Sequence, residues 1–369
     1  MRILISGGGT GGHVFPAIAI ADTIKKMRPD AEFLFIGAKG KLEMEKVPKA
    51  GYPIEGLWVS GFQRKLSLRN LLFPVKLAYS LIRAFRLVRR FKPDVVVGVG
   101  GYASGPTLEV ATRLGVPALI QEQNSYAGVT NRLLGPKVDK VCVAYHHMER
   151  YFPEEKIVLT GNPVRDAIRF SRASRQEGIE HFELDPWKKT VFVFGGSLGA
   201  RSINEAMAAQ FELLRENPLV QVLWQAGSLY YERFRQSDVA QLPNVRIQPF
   251  IDRMDLAYAM ADVIVGRAGA LTISELCMVA KPVVLIPSPN VAEDHQTKNA
   301  QALAEKSAAI LVPDAEAPEL ILRKPLELLQ DQKESRALSQ NILQLAIPDA
   351  AERIAGEVLQ LARMNQESA

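Results

Sequence analysis

Two stretches of this 369-residue chain repeat one pattern, and that repeat limits its fold more than any other feature. Near the start, the apolar run Ile3 to Ile5 leads into five glycines between Gly7 and Gly12, then His13 and a helical apolar pattern from Pro16 onward. Near the middle, the apolar run Val191 to Phe194 leads into the glycine turn Gly195 to Gly199. The helical stretch that follows opens with Ser202, Ile203, Asn204 and Glu205, a capping-box pattern. Strand, glycine turn and helix together open a nucleotide-type parallel α/β unit, so the repeat predicts two of them.

The segments between the turns agree. "RILIS", "AEFLFIG", "DVVVGVG", "PALIQEQ", "KVCVAY" and "KIVLTGNP" in the first half, and "LVQVLWQAG", "NVRIQPF", "ADVIVGRAG" and "KPVVLIPSP" in the second, alternate with helical patterns. That alternation predicts two Rossmann-like, doubly wound parallel-sheet domains in tandem. The break falls near Asn162 to Asp166, which gives domains 1–161 and 162–347. A tail of about 348–369 reads as a helix that Asp349 can cap, with Ile354, Val358 and Leu361 roughly on one face. Ligands of such sheets sit at the carboxyl ends of the strands, so two facing sheets predict a deep interdomain cleft. A length of 369 with 47% hydrophobic residues suits two cores. Cys142 and Cys277 are too few and too far apart for a disulfide framework or a cysteine metal site and read as two buried thiols. The start lacks the long apolar core of a signal peptide, and no run of about 18 to 20 apolar residues occurs, so a cytosolic chain is expected.

Gly7, Gly9 and Gly12 satisfy G-x-G-x-x-G, but a dinucleotide site also needs an acid at the end of the second strand. That strand ends in Gly37, Ala38 and Lys39, and no G-K-[ST] follows to make a P-loop. Two readings of each glycine turn remain: a backbone-amide cradle for a pyrophosphate at a helix N-terminus, or a turn that only lets strand and helix pack closely. The cluster Gly98 to Pro106 likewise either adds amides to a cleft or spares a steric clash. In "GRAGALTISEL", Thr272 and Glu275 form either a capping box or, at Glu275, a carboxylate for ribose hydroxyls. His295 and Gln296 in "EDHQTKN" either reach the same ligand or are ordinary polar loop residues.

The net charge of +5 is unevenly spread. Residues 1–161 hold 23 Lys+Arg against 13 Asp+Glu, and the remainder 22 against 27. Phe62 to Lys92 carries nine basic residues and no acid, with apolar residues between them at roughly helical spacing. A basic amphipathic helix reads as a contact to an anionic membrane surface; the competing reading packs its apolar face on the sheet and leaves the basic face solvated. Nucleic-acid binding is rejected, because it leaves the second glycine turn and Glu275 without a role and the stretch has few aromatics for stacking bases.

In order and across nearly the whole chain, "GGTGGHVFPA", "GVGGYASGP", "QEQNSYAGVTNRLL", "TGNPVR", "FGGSLGA", "RAGALTISEL" and "DHQTKNA" resemble the MurG family of peptidoglycan N-acetylglucosaminyltransferases. The resemblance implies the two-domain GT-B fold, with acceptor and membrane contact in the first domain and donor binding in the second. It implies inverting transfer of N-acetylglucosamine from UDP-N-acetylglucosamine to the C4 hydroxyl of lipid I, an undecaprenyl-pyrophosphoryl-N-acetylmuramoyl-pentapeptide, which gives lipid II. The enzyme would then act peripherally at the cytoplasmic face of the plasma membrane, among other cell-wall synthesis proteins. The matching donor positions are Thr10, Gly11, Gly12, Asn124, Arg165, Ser197, Ile251, Ala270, Leu271, Thr272, Glu275 and Gln296; Gly9, Gly101 and Tyr102 fall in the loops expected at the acceptor diphosphate. His13 is the candidate base, since an imidazole with an ordinary pKa of about 6.5 can take a proton at neutral pH; the competing role is a hydrogen bond to the acceptor diphosphate or to its own loop. Glu122 is expected to assist or replace it. With no D-x-D pair after a strand, leaving-group charge falls to helix N-termini and Arg165, and neither an obligatory metal nor a cofactor is expected. The nearest rivals are another UDP-sugar transferase of the same architecture and a UDP-N-acetylglucosamine 2-epimerase-like enzyme.

Overall fold

A computed structural model describes residues 1–59, 73–196 and 198–367. The chain divides into two units, one formed by Met1–Val164 with Ile347–Ala369 and the other by Arg165–Ala346. Each is built on its own parallel sheet.

The first unit contains β1 (Arg2–Ser6), β2 (Glu32–Ala38), β3 (Ile54–Leu57), β4 (Val95–Gly98), β5 (Ala118–Glu122), β6 (Lys140–Val143) and β7 (Ile157–Leu159). Their order across the sheet is β3-β2-β1-β4-β5-β6-β7, with every pairing parallel. Successive side chains on a strand point to opposite faces, and both faces here are apolar. Ile3 and Ile5 join Val95 and Val97 under α1 (Gly11–Met27), whereas Leu4 and Val96 face the opposite way, with Ala84, Leu87 and Val88 of α3 (Phe73–Phe91) and Leu108 of α4 (Ser104–Arg113). The short helix α2 (Glu43–Lys49) follows β2. The C-terminal helix Ala350–Glu367 lays Ile354, Val358 and Leu361 into the cluster under α1.

The second unit contains β8 (Lys189–Phe194), β9 (Val220–Gln225), β10 (Val245–Gln248), β11 (Val263–Gly266), β12 (Val283–Leu285) and β13 (Ile310–Leu311), in the order β10-β9-β8-β11-β12-β13. All its pairings are parallel as well. In both sheets the first strand lies beside the fourth, so the strand order reverses between β1 and β4 and between β8 and β11. Loops that leave neighbouring strands in opposite directions open a crevice there, the usual ligand position in such sheets. The glycine turns after β1 and β8 emerge at these two points.

The sequence reading missed two strands, both at edges: β3, which contains Glu55 and Gly56, and the two-residue β13. Neither the capping box expected at Ser202 to Glu205 nor the one held open as an alternative for Thr272 and Glu275 is formed. The helix α6 (Arg201–Ala208) has Ala200 at its N-cap, and Ser202 instead donates to Asp314 Oδ1 at 2.8 Å. Thr272 lies inside α8 (Ala270–Val279), whose N-cap is Gly269. Cys142 and Cys277 are buried and free, and burial pushes both thiols up to about 12, so they stay protonated and unreactive at neutral pH.

Candidate active site

At the carboxyl edge of the first sheet, the turn after β1 passes over the loop after β4. Gly8 N–H donates to Gly100 O at 3.2 Å. Gly101, at φ +85°, comes so close to the turn that a Cβ on it would lie 2.2 Å from Gly8 O, and this contact explains why both loops are rich in glycine. α1 then begins at Gly11, with Thr10 as an extended N-cap whose carbonyl accepts from His13 N–H and Val14 N–H, both at 3.1 Å. His13 thus lies in the first helical turn. Its ring covers Gly100, where a Cβ would stand 2.9 Å from Cε1, and its Nδ1 is 3.0 Å from Gln123 Oε1.

Glu43, for which the sequence reading found no role, shapes this turn. Its buried carboxylate accepts from Gly9 N–H at 2.8 Å and Ala38 N–H at 2.9 Å. A Cβ on Gly8 or Gly37 would collide with it. Gly9 is therefore tied to Glu43 through its amide. Glu43 lies past the end of β2, at the start of α2, and is turned inward onto the glycine turn.

Glu122 ends β5 and is 2% exposed. Its Oε1 accepts from Asn124 N–H at 3.0 Å and from Asn124 Nδ2 at 3.3 Å; its Oε2 accepts from Gly128 N–H at 3.0 Å and Asn131 Nδ2 at 2.9 Å. Four donors match the about four acceptor positions of this carboxylate. Glu122 clasps the loop into α5 (Val129–Leu134), and Asn124 is part of that clasp. Tyr102 is 54% exposed in the loop after β4.

In the second unit, Arg165 and Glu275 meet. Arg165 Nε donates to Glu275 Oε1 at 2.6 Å, Arg165 Nη2 donates to Oε2 at 3.0 Å, and Tyr258 Oη donates to Oε2 at 3.1 Å. Tyr258, on α7 (Met254–Met260), is buried against Phe192 and Phe194; burial first, and then the facing carboxylate, push its phenol well above the ordinary value, so it remains a donor. Neither this tyrosine nor the pairing was foreseen. Three donors leave Glu275 about one acceptor position. Arg165 has five N–H donors and spends two on Glu275.

Arg267 fixes the loop before α8 by donating to Ile286 O at 2.9 Å, Pro287 O at 3.0 Å, Asp314 Oδ1 at 2.5 Å and Ser202 Oγ at 2.6 Å. It thereby ties the ends of β11 and β12 to α6. Ala270, Leu271 and Thr272 form the first turn of α8, and Ile251 is buried at 2% exposure. Gln296 is the second residue of α9 (His295–Ala304), and its Oε1 accepts from Ser288 N–H at 2.9 Å, bridging to the loop after β12. Ser197 lies outside the described residues, as do residues 62–72 of the basic segment.

α3 carries the rest of that segment. Ser80, Ala84, Leu87 and Val88 are buried, whereas Val75, Tyr79, Ile82 and Phe85 are exposed, in a stripe spaced three or four residues apart. Arg86, Arg89 and Arg90 are exposed beside it, while Arg83 pairs with Glu55 at 2.7 Å. One face of α3 packs on the sheet, and another presents apolar and basic groups together. Among the described residues, no helix is long and apolar enough to cross a membrane.

Residues 3–143 match the glycosyltransferase family 28 N-terminal domain, and residues 190–354 match the glycosyltransferase family 28 C-terminal domain. A Cytophaga hutchinsonii protein named UDP-N-acetylglucosamine–N-acetylmuramyl-(pentapeptide) pyrophosphoryl-undecaprenol N-acetylglucosamine transferase is 56% identical over 360 residues, covering 98% of this chain and 96% of its own. The crystal structure of Acinetobacter baumannii MurG superposes with a TM-score of 0.78 at 29% identity, covering 97% of this chain and 99% of its own. A UDP-GlcNAc 2-epimerase from Neisseria meningitidis bound to UDP-GlcNAc superposes at 0.68 with 14% identity, covering 98% of this chain and 100% of its own, a likeness of fold alone.

Proposed function

The chain belongs to glycosyltransferase family 28, among its N-acetylglucosaminyltransferases of peptidoglycan synthesis, and from that membership we propose how its residues divide the reaction. It is a UDP-N-acetylglucosamine-dependent glycosyltransferase that converts lipid I to lipid II. The second unit holds the donor. The arrangement of Arg165, Glu275 and Tyr258 carries this reading: Glu275 takes one ribose hydroxyl in its remaining acceptor position, and Arg165, held in place by Glu275, turns its remaining N–H groups to the diphosphate. Ile251 supplies backbone groups to uracil, and the first turn of α8 and Gln296 complete the pocket wall.

The first unit supplies the base and the acceptor loops. His13 takes the proton from the acceptor C4 hydroxyl as that oxygen attacks the sugar C1 from the face opposite the phosphate. The C1–O bond to the diphosphate breaks, and UDP leaves with the electron pair. Arg165 and helix N-terminal amides meet the charge that develops on the leaving group. The loops at Gly9, Gly101 and Tyr102 lie near the acceptor diphosphate, and Thr10, Gly11 and Gly12 present the start of α1 to the substrates.

α3 brings the enzyme to its lipid substrate as a peripheral protein at the cytoplasmic face. Its exposed Val75, Tyr79, Ile82 and Phe85 enter the headgroup boundary, and Arg86, Arg89 and Arg90 meet anionic lipid, each contributing about 1 kcal/mol near the surface. The test follows label from UDP-N-acetylglucosamine into two acceptors, a lipid I analogue in anionic vesicles and a short-chain, detergent-soluble analogue. Wild type labels both. The triple variant Arg86→Glu, Arg89→Glu, Arg90→Glu is expected to lose more than tenfold in rate on vesicles, from about 3 kcal/mol of lost attraction, and to keep its rate on the soluble acceptor. Equal rates on vesicles would remove α3 from membrane docking.

A further inference from the structure

Gln123 follows β5 directly and is 1% exposed, and every neighbour of its amide dictates which way it points. Its Nε2 lies 2.9 Å from Val99 O and 3.1 Å from Gln121 O, and also meets Gln121 Oε1. Backbone carbonyls only accept, so this atom is the nitrogen. The next links agree: Gln121 Nε2 donates to Asn162 Oδ1 at 2.8 Å, and Asn162 Nδ2 donates back to Gln123 O at 3.0 Å. The three amides form a buried chain with one consistent sense, closed at both ends by main-chain oxygens.

It follows that Gln123 presents its oxygen to His13. In the neutral imidazole one nitrogen carries hydrogen and the other a lone pair, and the partner of one nitrogen decides which is which. At 3.0 Å from Gln123 Oε1, Nδ1 must be the donor, which puts the lone pair on Nε2. Meanwhile Gly100, by lacking a Cβ, lets the ring lie flat over the loop after β4.

We propose that Gln123 is the positioning residue that sets the tautomer and orientation of His13, so that Nε2 is the nitrogen that accepts the acceptor's proton. This rests on the reading of His13 as the base. Because Gln123 is neutral, it fixes the tautomer without stabilising the imidazolium as a carboxylate would. Titratable groups in the loops around the ring include Glu43, closed on Gly9 and Ala38, Glu122, closed on its own loop, and Tyr102 in the loop after β4, and α1 itself carries Asp22, Lys25 and Lys26 toward its far end. These stay constant across the variants below.

Two measurements test the proposal. The first is the pH dependence of kcat/KM in wild type, Gln123→Glu, Gln123→Met and His13→Ala. Gln123→Glu sets an anion beside the imidazole, which favours its charged form. The base is then neutral only at higher pH, so the acidic limb is expected to move up by about one unit or more, with activity recovered at alkaline pH. Gln123→Met removes the acceptor but adds no charge, so kcat falls by about tenfold to a hundredfold with the acidic limb in place and the affinity for UDP unchanged. If Gln123→Glu leaves the limb where it was while His13→Ala abolishes turnover, the proposal is overturned and the base reading survives. If His13→Ala turns over as wild type does, the base reading itself fails. The second measurement needs no variant of Gln123: in ¹⁵N-histidine-labelled wild type, with the His13 signals assigned by their loss in His13→Gln, Nδ1 is expected to carry the proton above the titration range. A proton on Nε2 would overturn the proposal.

Discussion

Replacing His13 by alanine is expected to lower kcat by about 10²- to 10⁴-fold, the usual contribution of a positioned general base, while leaving the affinity for UDP unchanged. His13 belongs to the first unit and stands over Gly100, hydrogen-bonded to Gln123, whereas Arg165, Glu275 and Tyr258 belong to the second unit. The lesion should therefore show in the chemical step and not in donor binding. Single-turnover transfer measured by rapid quench, beside calorimetric titration with UDP, separates the two. His13→Gln sharpens the result, because it keeps a polar side chain of similar reach but cannot take a proton at neutral pH; it should be about as slow as alanine. Loss of UDP affinity with an unchanged chemical step would instead make His13 a donor ligand.

Glu275→Ala is expected to act in the opposite way. A hydrogen bond to a charged group contributes about 1.5–3 kcal/mol, so loss of the ribose contact raises the Kd for UDP-N-acetylglucosamine by about 10- to 150-fold. The substitution also releases Arg165 from its two-point grip and strands Tyr258 Oη in a buried position among Phe192 and Phe194. An unsatisfied buried hydroxyl costs about 1–3 kcal/mol, which a fall in the thermal midpoint will reveal. Glu275→Gln keeps an acceptor for Tyr258 and should recover stability better than affinity. Unchanged donor affinity in Glu275→Ala, with the stability loss alone, would leave Glu275 as a brace for Arg165 and Tyr258.

Much of the fold can be read in the sequence, because parallel strands covered on both faces are continuous apolar runs and each glycine turn marks a switch point. β3 and β13 escaped for the converse reason: one carries a glutamate and a glycine, and the other has only two residues. The glycine requirement at Gly100 and Gly101 is also legible in part, since a cluster after a strand signals close approach; what approaches, His13 and Gly8, comes from sequence positions far away. Buried hydrogen-bond partners were the least readable. Glu43 reads as an ordinary helix acid in the sequence, and only the fold shows it turned inward onto Gly9. Glu122 clasps its loop with four donors, and its neighbour Gln123, quoted within "QEQNSYAGVTNRLL" and given no task, touches His13. Glu275 pairs with Arg165 and Tyr258, and Tyr258 lies in an apolar helix pattern that reads as core. For Glu43 on Gly9 and Gln123 on His13, pairing across the fold sets the contact, and local spacing carries no record of it.

The most direct test of the account is the anomeric configuration of the product formed by the purified protein from UDP-N-acetylglucosamine and a lipid I analogue, read by proton NMR from the coupling at the new sugar C1. Attack opposite the leaving diphosphate, with His13 drawing off the acceptor proton, predicts a single β-linked N-acetylglucosamine on the C4 oxygen of the muramoyl residue. An α-linked product, or sugar released or epimerised with none attached to the acceptor, would contradict it.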